Sequence, residues 1–87
     1  MEIYILTEER SLLFQRNYEA TAFKAYMEAE TEAEKHQTAF KDMVCKVYPK
    51  ASFKESTWVE HNANVMFLEK ADDADTYLML KIVKQVL

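Results

Sequence analysis

The sequence predicts one α+β domain in which a small antiparallel sheet of four or five strands packs on one main helix. Segments of alternating apolar and polar residues open and close the chain, and a long helical pattern lies between them. A chain of 87 residues is long enough for one hydrophobic core and too short for two. The predicted order is β-β-α-β-β-β, ending in a meander, and residues 1–87 form a single domain.

The first strand is predicted over residues 1–8, which read MEIYILTE and are rich in β-branched and aromatic side chains. A polar break follows over residues 9–11. Residues 12–16 then predict a short returning strand, although the same segment could begin a helix.

Residues 17–48 allow two interpretations. An alanine-rich composition and an unbroken helical phase allow one long helix. Alternatively, residues 20–27 form a strand and a capping box beginning at Thr31 starts the helix. Both interpretations place a helix over residues 31–48, because Pro49 disfavours helical geometry in the residue before it.

After the proline, alternation over residues 53–60 predicts a strand. A turn over residues 61–64 leads to a strand over residues 65–70, and an acidic turn over residues 71–75 leads to residues 76–86. The last segment also fits an amphipathic helix. A strand is favoured because every second residue from position 78 to position 82 is Leu or Ile.

The chain contains no glycine. Phosphate-cradling loops of the P-loop and dinucleotide-binding type are therefore excluded, because they need glycine where the backbone crowds an anion. Turn positions with positive φ are expected to be taken by Asn or Asp.

Few side chains could carry chemistry. His36, His61 and Cys45 are the only soft metal ligands. Glu32 and His36 are expected to form a solvated contact across one helical turn rather than a metal site, which needs three or four ligands. Cys45 is expected to be a small buried hydrophobe, and its pairing with a histidine as a nucleophile is the alternative. The sequence thus predicts no enzyme, catalytic residue, cofactor or metal.

The net charge of -4 disfavours direct nucleic-acid binding and suits a basic protein partner, such as a nucleic-acid-binding protein or nuclease. The acids are concentrated in two blocks, residues 19–34 and 55–75, with a basic block between them. Solubility and helix-dipole complementarity are the favoured explanation of these blocks, and steering toward a basic partner is the alternative. A single cysteine suits a reducing interior, and no segment is predicted to enter a membrane, so the expected compartment is the cytoplasm. The acidic candidates for partner binding are Glu28, Glu30, Glu32, Asp72 and Asp73.

One helix can cover only one face of the sheet, yet both faces are predicted to be apolar. The side expected against the helix holds Ile3, Ile5, Val59, Leu78, Leu80 and Ile82. The other side is expected to hold Tyr4, Leu6, Trp58, Tyr77, Met79 and Val83, with Met66 or Phe67 according to register. Such a patch would reach about 400 to 600 Å², which is typical of interaction sites. Tyr4, Trp58, Met66, Tyr77 and Met79 are therefore predicted to bind a partner. The alternative is that residues 9–29 fold over this face.

The layout, with an opening strand MEIYILTE, one helix TEAEKHQTAFKDMVCKVYP and a closing meander, resembles the small orphan proteins of phages and mobile elements. That class includes anti-CRISPR and other anti-defence inhibitors. The resemblance covers the whole chain as architecture, and no functional residue is carried over. It implies stoichiometric binding that blocks a nuclease, sensor or polymerase in the host cytoplasm. A homodimeric structural or small-ligand-binding domain is the second hypothesis.

Overall fold

The computed structural model describes all 87 residues and shows one helix on a five-stranded antiparallel sheet. The elements are β1 (Glu2–Leu12), β2 (Gln15–Phe23), α1 (Tyr26–Val47), β3 (Phe53–Glu60), β4 (Ala63–Lys70) and β5 (Asp73–Val86). The strands lie in the order β2-β1-β5-β4-β3. The predicted α+β class and the element order β-β-α-β-β-β are confirmed.

The first hairpin is longer than predicted. β1 continues through the expected break at residues 9–11, and β2 returns over Gln15–Phe23 rather than over residues 12–16. The two-residue turn consists of Leu13 and Phe14, whose φ angles are 53° and 66°. His61, in the β3–β4 turn, also has a positive φ of 54°. The expectation that Asn or Asp would occupy such positions is therefore wrong.

The helix begins five residues before the predicted cap. Ala25 is the N-cap residue and makes no side-chain capping bond. The hydroxyl of Thr31 instead donates to the carbonyl of Met27 one turn back, at 2.8 Å, so Thr31 lies within the helix. The helix ends at Val47, with Tyr48 as its C-cap before the proline. Although α1 has 22 residues, it is not apolar enough to cross a membrane.

The second half of the chain is the predicted meander. β3 has the bounds that the alternating pattern predicts. β4 and β5 begin at Ala63 and Asp73, earlier than predicted, because the turns are tighter and consist of residues 61–62 and 71–72. The last segment is a strand and not a helix.

The hydrophobic core lies between α1 and one face of the sheet, here called the covered face. Nine buried apolar side chains form it. The helix contributes Ala29, Ala33, Phe40 and Val44, and the strands contribute Leu6, Leu68, Leu78, Leu80 and Ile82. Each large side chain removed from water contributes about 1.5 to 3 kcal/mol, so this single layer supplies most of the apolar stabilisation.

The predicted assignment of β1 to the two faces is wrong. Leu6 lies in the core and Tyr4 packs against it, whereas Ile3 and Ile5 alternate to the other side. Both faces of β1 are apolar, so alternation alone does not decide which one meets the helix.

The opposite side of the sheet has no covering layer. The amino-terminal third forms two strands within the sheet and does not fold across it, which excludes the alternative in which residues 9–29 cover this side. The helix is the only element outside the sheet, and it packs on the covered face. We call the uncovered side the open face.

A candidate protein-binding surface on the open face

The strand register defines which side chains share the open face. Ile5 pairs with Val83, Phe67 with Met79 and Trp58 with Val65, and directly paired residues point to the same side. The apolar members of the open face are Ile3, Ile5, Tyr18, Trp58, Val65, Phe67, Tyr77, Met79 and Val83, of which Val65 is buried between its neighbours and the others are partly or largely exposed. They come from all five strands, so they form one continuous surface and not an isolated hydrophobic spot.

Three aromatic rings form a row across the open face. The Phe67 and Tyr77 rings stack with centroids 5.7 Å apart and planes 30° apart. The Trp58 and Phe67 centroids are 6.5 Å apart. The indole N–H of Trp58 donates to a carboxylate oxygen of Glu60 at 3.1 Å, which fixes the ring on its edge strand. A row already ordered in the free protein loses little side-chain entropy when a partner covers it.

Charged groups of both signs lie on the open face. It carries the acidic residues Glu9, Glu60, Glu69 and Asp75 and the basic residues Arg16, Lys54 and Lys81. The hydrogen bond from Trp58, aided by Lys81, lowers the pKa of Glu60. An apolar centre with mixed charges resembles the usual anatomy of a protein interface.

The surroundings of Tyr77 on the open face shift the pKa of its phenol. Partial burial raises the pKa of its phenol, and the nearby Glu9 carboxylate raises it further. Because the ionised phenolate is disfavoured there, Tyr77 presents a neutral hydroxyl at the surface.

The structure brings together only part of the predicted apolar site. Trp58, Tyr77 and Met79 do share the open face. Tyr4 and Met66 were predicted to join them, but both pack against the core on the covered face. Sequence reasoning left Ile3 and Ile5 on the wrong side and did not include Val65.

Phe67 was an alternative to Met66, and the register selects Phe67. One residue could have indicated which side of β1 faces the helix. Glu8 lies on the same side as Leu6, and its carboxylate pairs with His36 of α1.

The predicted acidic candidates do not form one surface. Glu28, Glu30 and Glu32 lie on the first half of α1, which follows the end of β2. Asp72 and Asp73 lie at the β4–β5 turn, near the opposite end of the helix: Lys70 pairs with Asp72 and stacks its ammonium over the ring of Tyr48. Asp73 accepts hydrogen bonds from the backbone N–H of Asp75 and the hydroxyl of Thr76. These two aspartates therefore have local structural roles.

The candidate chemical groups lie away from the open face. Nδ1 of His36 is 3.0 Å from Glu8, and Nε2 is 3.2 Å from Glu32, so an imidazolium can donate to both carboxylates. His36 therefore contacts two carboxylates in a half-buried site, whereas the spacing predicted only a solvated pair with Glu32. No cluster of three or more potential ligand side chains is arranged to hold a metal ion. Cys45 is a half-buried free thiol on α1.

In comparisons with family models, curated proteins and solved structures, the chain matches none of them. The assignment of a function therefore depends on the geometry of the molecule itself.

Proposed function

We propose that this chain is a non-enzymatic binding protein whose open face docks on the surface of another protein. The observation that carries the proposal is that one helix covers one face of the sheet while the other face, equally apolar, has nothing over it. Contiguous apolar surface of this kind is a usual mark of an interaction site. The row of Trp58, Phe67 and Tyr77 supplies aromatic residue types that are enriched at protein interfaces, and Trp and Tyr are common energetic centres there.

A protein partner fits the open face better than a nucleic acid does. Sequence-independent binding to phosphates requires a surplus of Lys and Arg, whereas four acidic groups on this face outnumber the three basic ones. The net charge of -4 still favours approach to a basic protein through long-range attraction. In this proposal charge guides the encounter and the aromatic row provides the contact.

The mode of action that we propose is stoichiometric. A domain of 87 residues that docks through one face of its sheet can block or modulate the surface it covers, as anti-defence inhibitors of phages and mobile elements do. In that setting the target is a nuclease or another defence protein in the host cytoplasm. The open face is then the inhibitory surface.

Affinity capture with matched variants tests the proposal. The tagged chain is compared with a Trp58→Ala, Met79→Glu double variant of the open face and with Met27→Glu as the control. Met27 is 67% exposed on α1, so this control adds the same charge away from the open face. We expect wild type and Met27→Glu to retain the same protein and the double variant to lose it.

Calorimetry with the captured protein then measures the loss, which should be at least about thirtyfold in Kd if the row is an energetic centre. Unchanged affinity of the double variant would show that the open face is not the docking surface. Sedimentation of the chain alone separates a second possibility, in which the open face pairs with itself and Met79→Glu dissociates a dimer.

A further inference from the structure

The turn between β1 and β2 combines backbone strain with exposed apolar side chains. Leu13 is 51% exposed and Phe14 is fully exposed, and both residues adopt left-handed φ angles. Two-residue hairpin turns of this kind favour Asn-Gly, and a left-handed conformation costs an ordinary residue about 1 to 2 kcal/mol. Folding gains nothing from two strained hydrophobic residues in water. Strain of this sort, kept at a surface, indicates a binding role.

Both arginines of the chain flank this tip, defined as Leu13 and Phe14. Arg10 on β1 and Arg16 on β2 each lie three residues from Leu13 in sequence. The register places them on opposite faces of the hairpin, since Arg10 pairs with Asn17 and Arg16 pairs with Ser11. Neither guanidinium has a carboxylate within ion-pair distance, whereas six ion pairs form elsewhere. The tip is therefore an apolar wedge with an unpaired positive charge on each side.

A groove of matching character lies beside α1 at the β3–β4 edge of the sheet, and its lining includes Trp58 and Val65, which the register assigns to the open face. The helix packs mainly over β2, β1 and β5 and leaves part of β3 and β4 bare. The resulting groove has a volume of about 460 Å³, and eight of its eleven lining residues are hydrophobic. They include Val59, Met66, Leu80 and Ile82. Its one charged lining residue is Glu30, which forms no ion pair.

We propose that the tip of one copy of this chain inserts into the groove of a second copy. Leu13 and Phe14 would fill the apolar floor, and whichever arginine faces α1 would pair with Glu30. The groove lies in the size range of pockets that enclose small apolar groups, about 300 to 1,000 Å³. The contact joins two different surfaces, the tip of one copy and the groove of another. Two copies that each insert a tip into the other form a closed dimer, and successive insertions form a ring or an open filament.

A lipid membrane is the competing occupant of the tip. A single myristoyl chain gives only marginal membrane binding, and one Leu with one Phe offers less apolar surface than that chain. The net charge of -4 also opposes approach to an anionic leaflet. These two facts favour a second copy over a bilayer.

Sedimentation velocity of the whole chain, from about 1 to 200 µM, tests the proposal in a range where micromolar association is measurable. We expect reversible association that Leu13→Asn with Phe14→Gly weakens at least about tenfold, the effect of losing about 1.4 kcal/mol of contact. This pair of substitutions relieves the turn, so loss of association cannot be attributed to misfolding. A chain that stays monomeric throughout the range, or associates equally well after these substitutions, would overturn the proposal.

A charge exchange tests the register of the contact. Glu30→Arg alone and Arg10→Glu with Arg16→Glu should each weaken association, and all three substitutions in one chain should restore it. Failure of the triple variant to recover would contradict the pairing.

Flotation with phosphatidylcholine and phosphatidylserine vesicles tests whether the tip binds a membrane instead of a second copy. Tip-dependent vesicle binding by a chain that stays monomeric would replace the second copy with a membrane. The Met79→Glu variant should leave self-association intact and the tip variant should leave partner capture intact, so this inference and the proposed function can fail separately.

Discussion

Nδ1 of His36 lies 3.0 Å from a carboxylate oxygen of Glu8, which joins the middle of α1 to β1 across the covered face. Glu8 is only 7% exposed, and no buried polar side-chain atom in the structure lacks a partner. The contact therefore lets an acidic residue occupy the apolar layer and fixes which side of β1 meets the helix.

Removing this carboxylate should destabilise the fold. We expect Glu8→Ala to lower the free energy of unfolding by about 1 to 3 kcal/mol, because it leaves one imidazole nitrogen unpaired in a half-buried site. Glu8→Gln retains a hydrogen-bonding group and should lose less. Urea denaturation followed by circular dichroism measures both, and equal stability of Glu8→Ala and wild type would contradict the role given to the pair.

Core and open-face substitutions should differ sharply in their effect on stability. Leu68→Ala leaves a cavity beneath α1 and should cost about 2 to 5 kcal/mol. Trp58→Ala removes a side chain that is 40% exposed on an edge strand and should cost much less. Thermal unfolding of the two variants makes the comparison. A loss for Trp58→Ala as large as that for Leu68→Ala would mean that the open face serves folding and not binding.

The β1–β2 turn should be stabilised by residues that accept a positive φ. Phe14→Gly removes the steric cost of the left-handed conformation, so we expect a gain of roughly 1 kcal/mol in the free energy of unfolding. Phe14→Ala deletes the same ring and keeps the steric cost, which makes it the matched control. If both variants had the stability of wild type, the turn would hold no strain.

Tyr77 should give a pH-dependent signal from the open face. Its pKa in the folded chain is raised, so the stability that its neutral form contributes is present below pH 10.0, the usual pKa of a tyrosine, and is lost as the pH rises beyond it. Glu9→Gln should lower this pKa but leave it raised, because partial burial, which also raises it, remains.

Ultraviolet titration of the phenol, with Tyr77→Phe to assign the transition, measures the effect. Binding of a partner over the open face should raise the pKa further, since it removes more water from the ring. A partner that left the Tyr77 transition unmoved would have to bind elsewhere.

Most of the secondary-structure elements could be predicted because their apolar and polar residues follow the period of a strand or a helix. Alternation defined β3, and Pro49 placed the end of α1 within a residue. The start of α1 could not be predicted from the local capping signal at Thr31, because packing of Ala29 in the core extends the helix backward. Tertiary burial there outweighs a surface cap worth about 1 kcal/mol.

Neither the side of β1 that faces the helix nor the position of the first turn could be predicted from the sequence, and the reasons differ. Ile3, Ile5, Tyr4 and Leu6 are all apolar, so alternation cannot orient the strand, and only the long-range contact of Glu8 with the helix distinguishes its two sides. The turn breaks the residue rules for positive φ, because the long pairing of β1 with β2 requires a tight reversal at Leu13 and Phe14.

We propose that another protein docks on the open face of the sheet. Methyl NMR of the chain, titrated with the purified captured partner, tests it most directly. We predict that the largest shifts fall on Ile3, Ile5 and Val83 of the open face, while Leu68 and Leu78 in the core stay nearly unchanged. Shifts confined to methyl groups beside α1, with the open face silent, would contradict the claim.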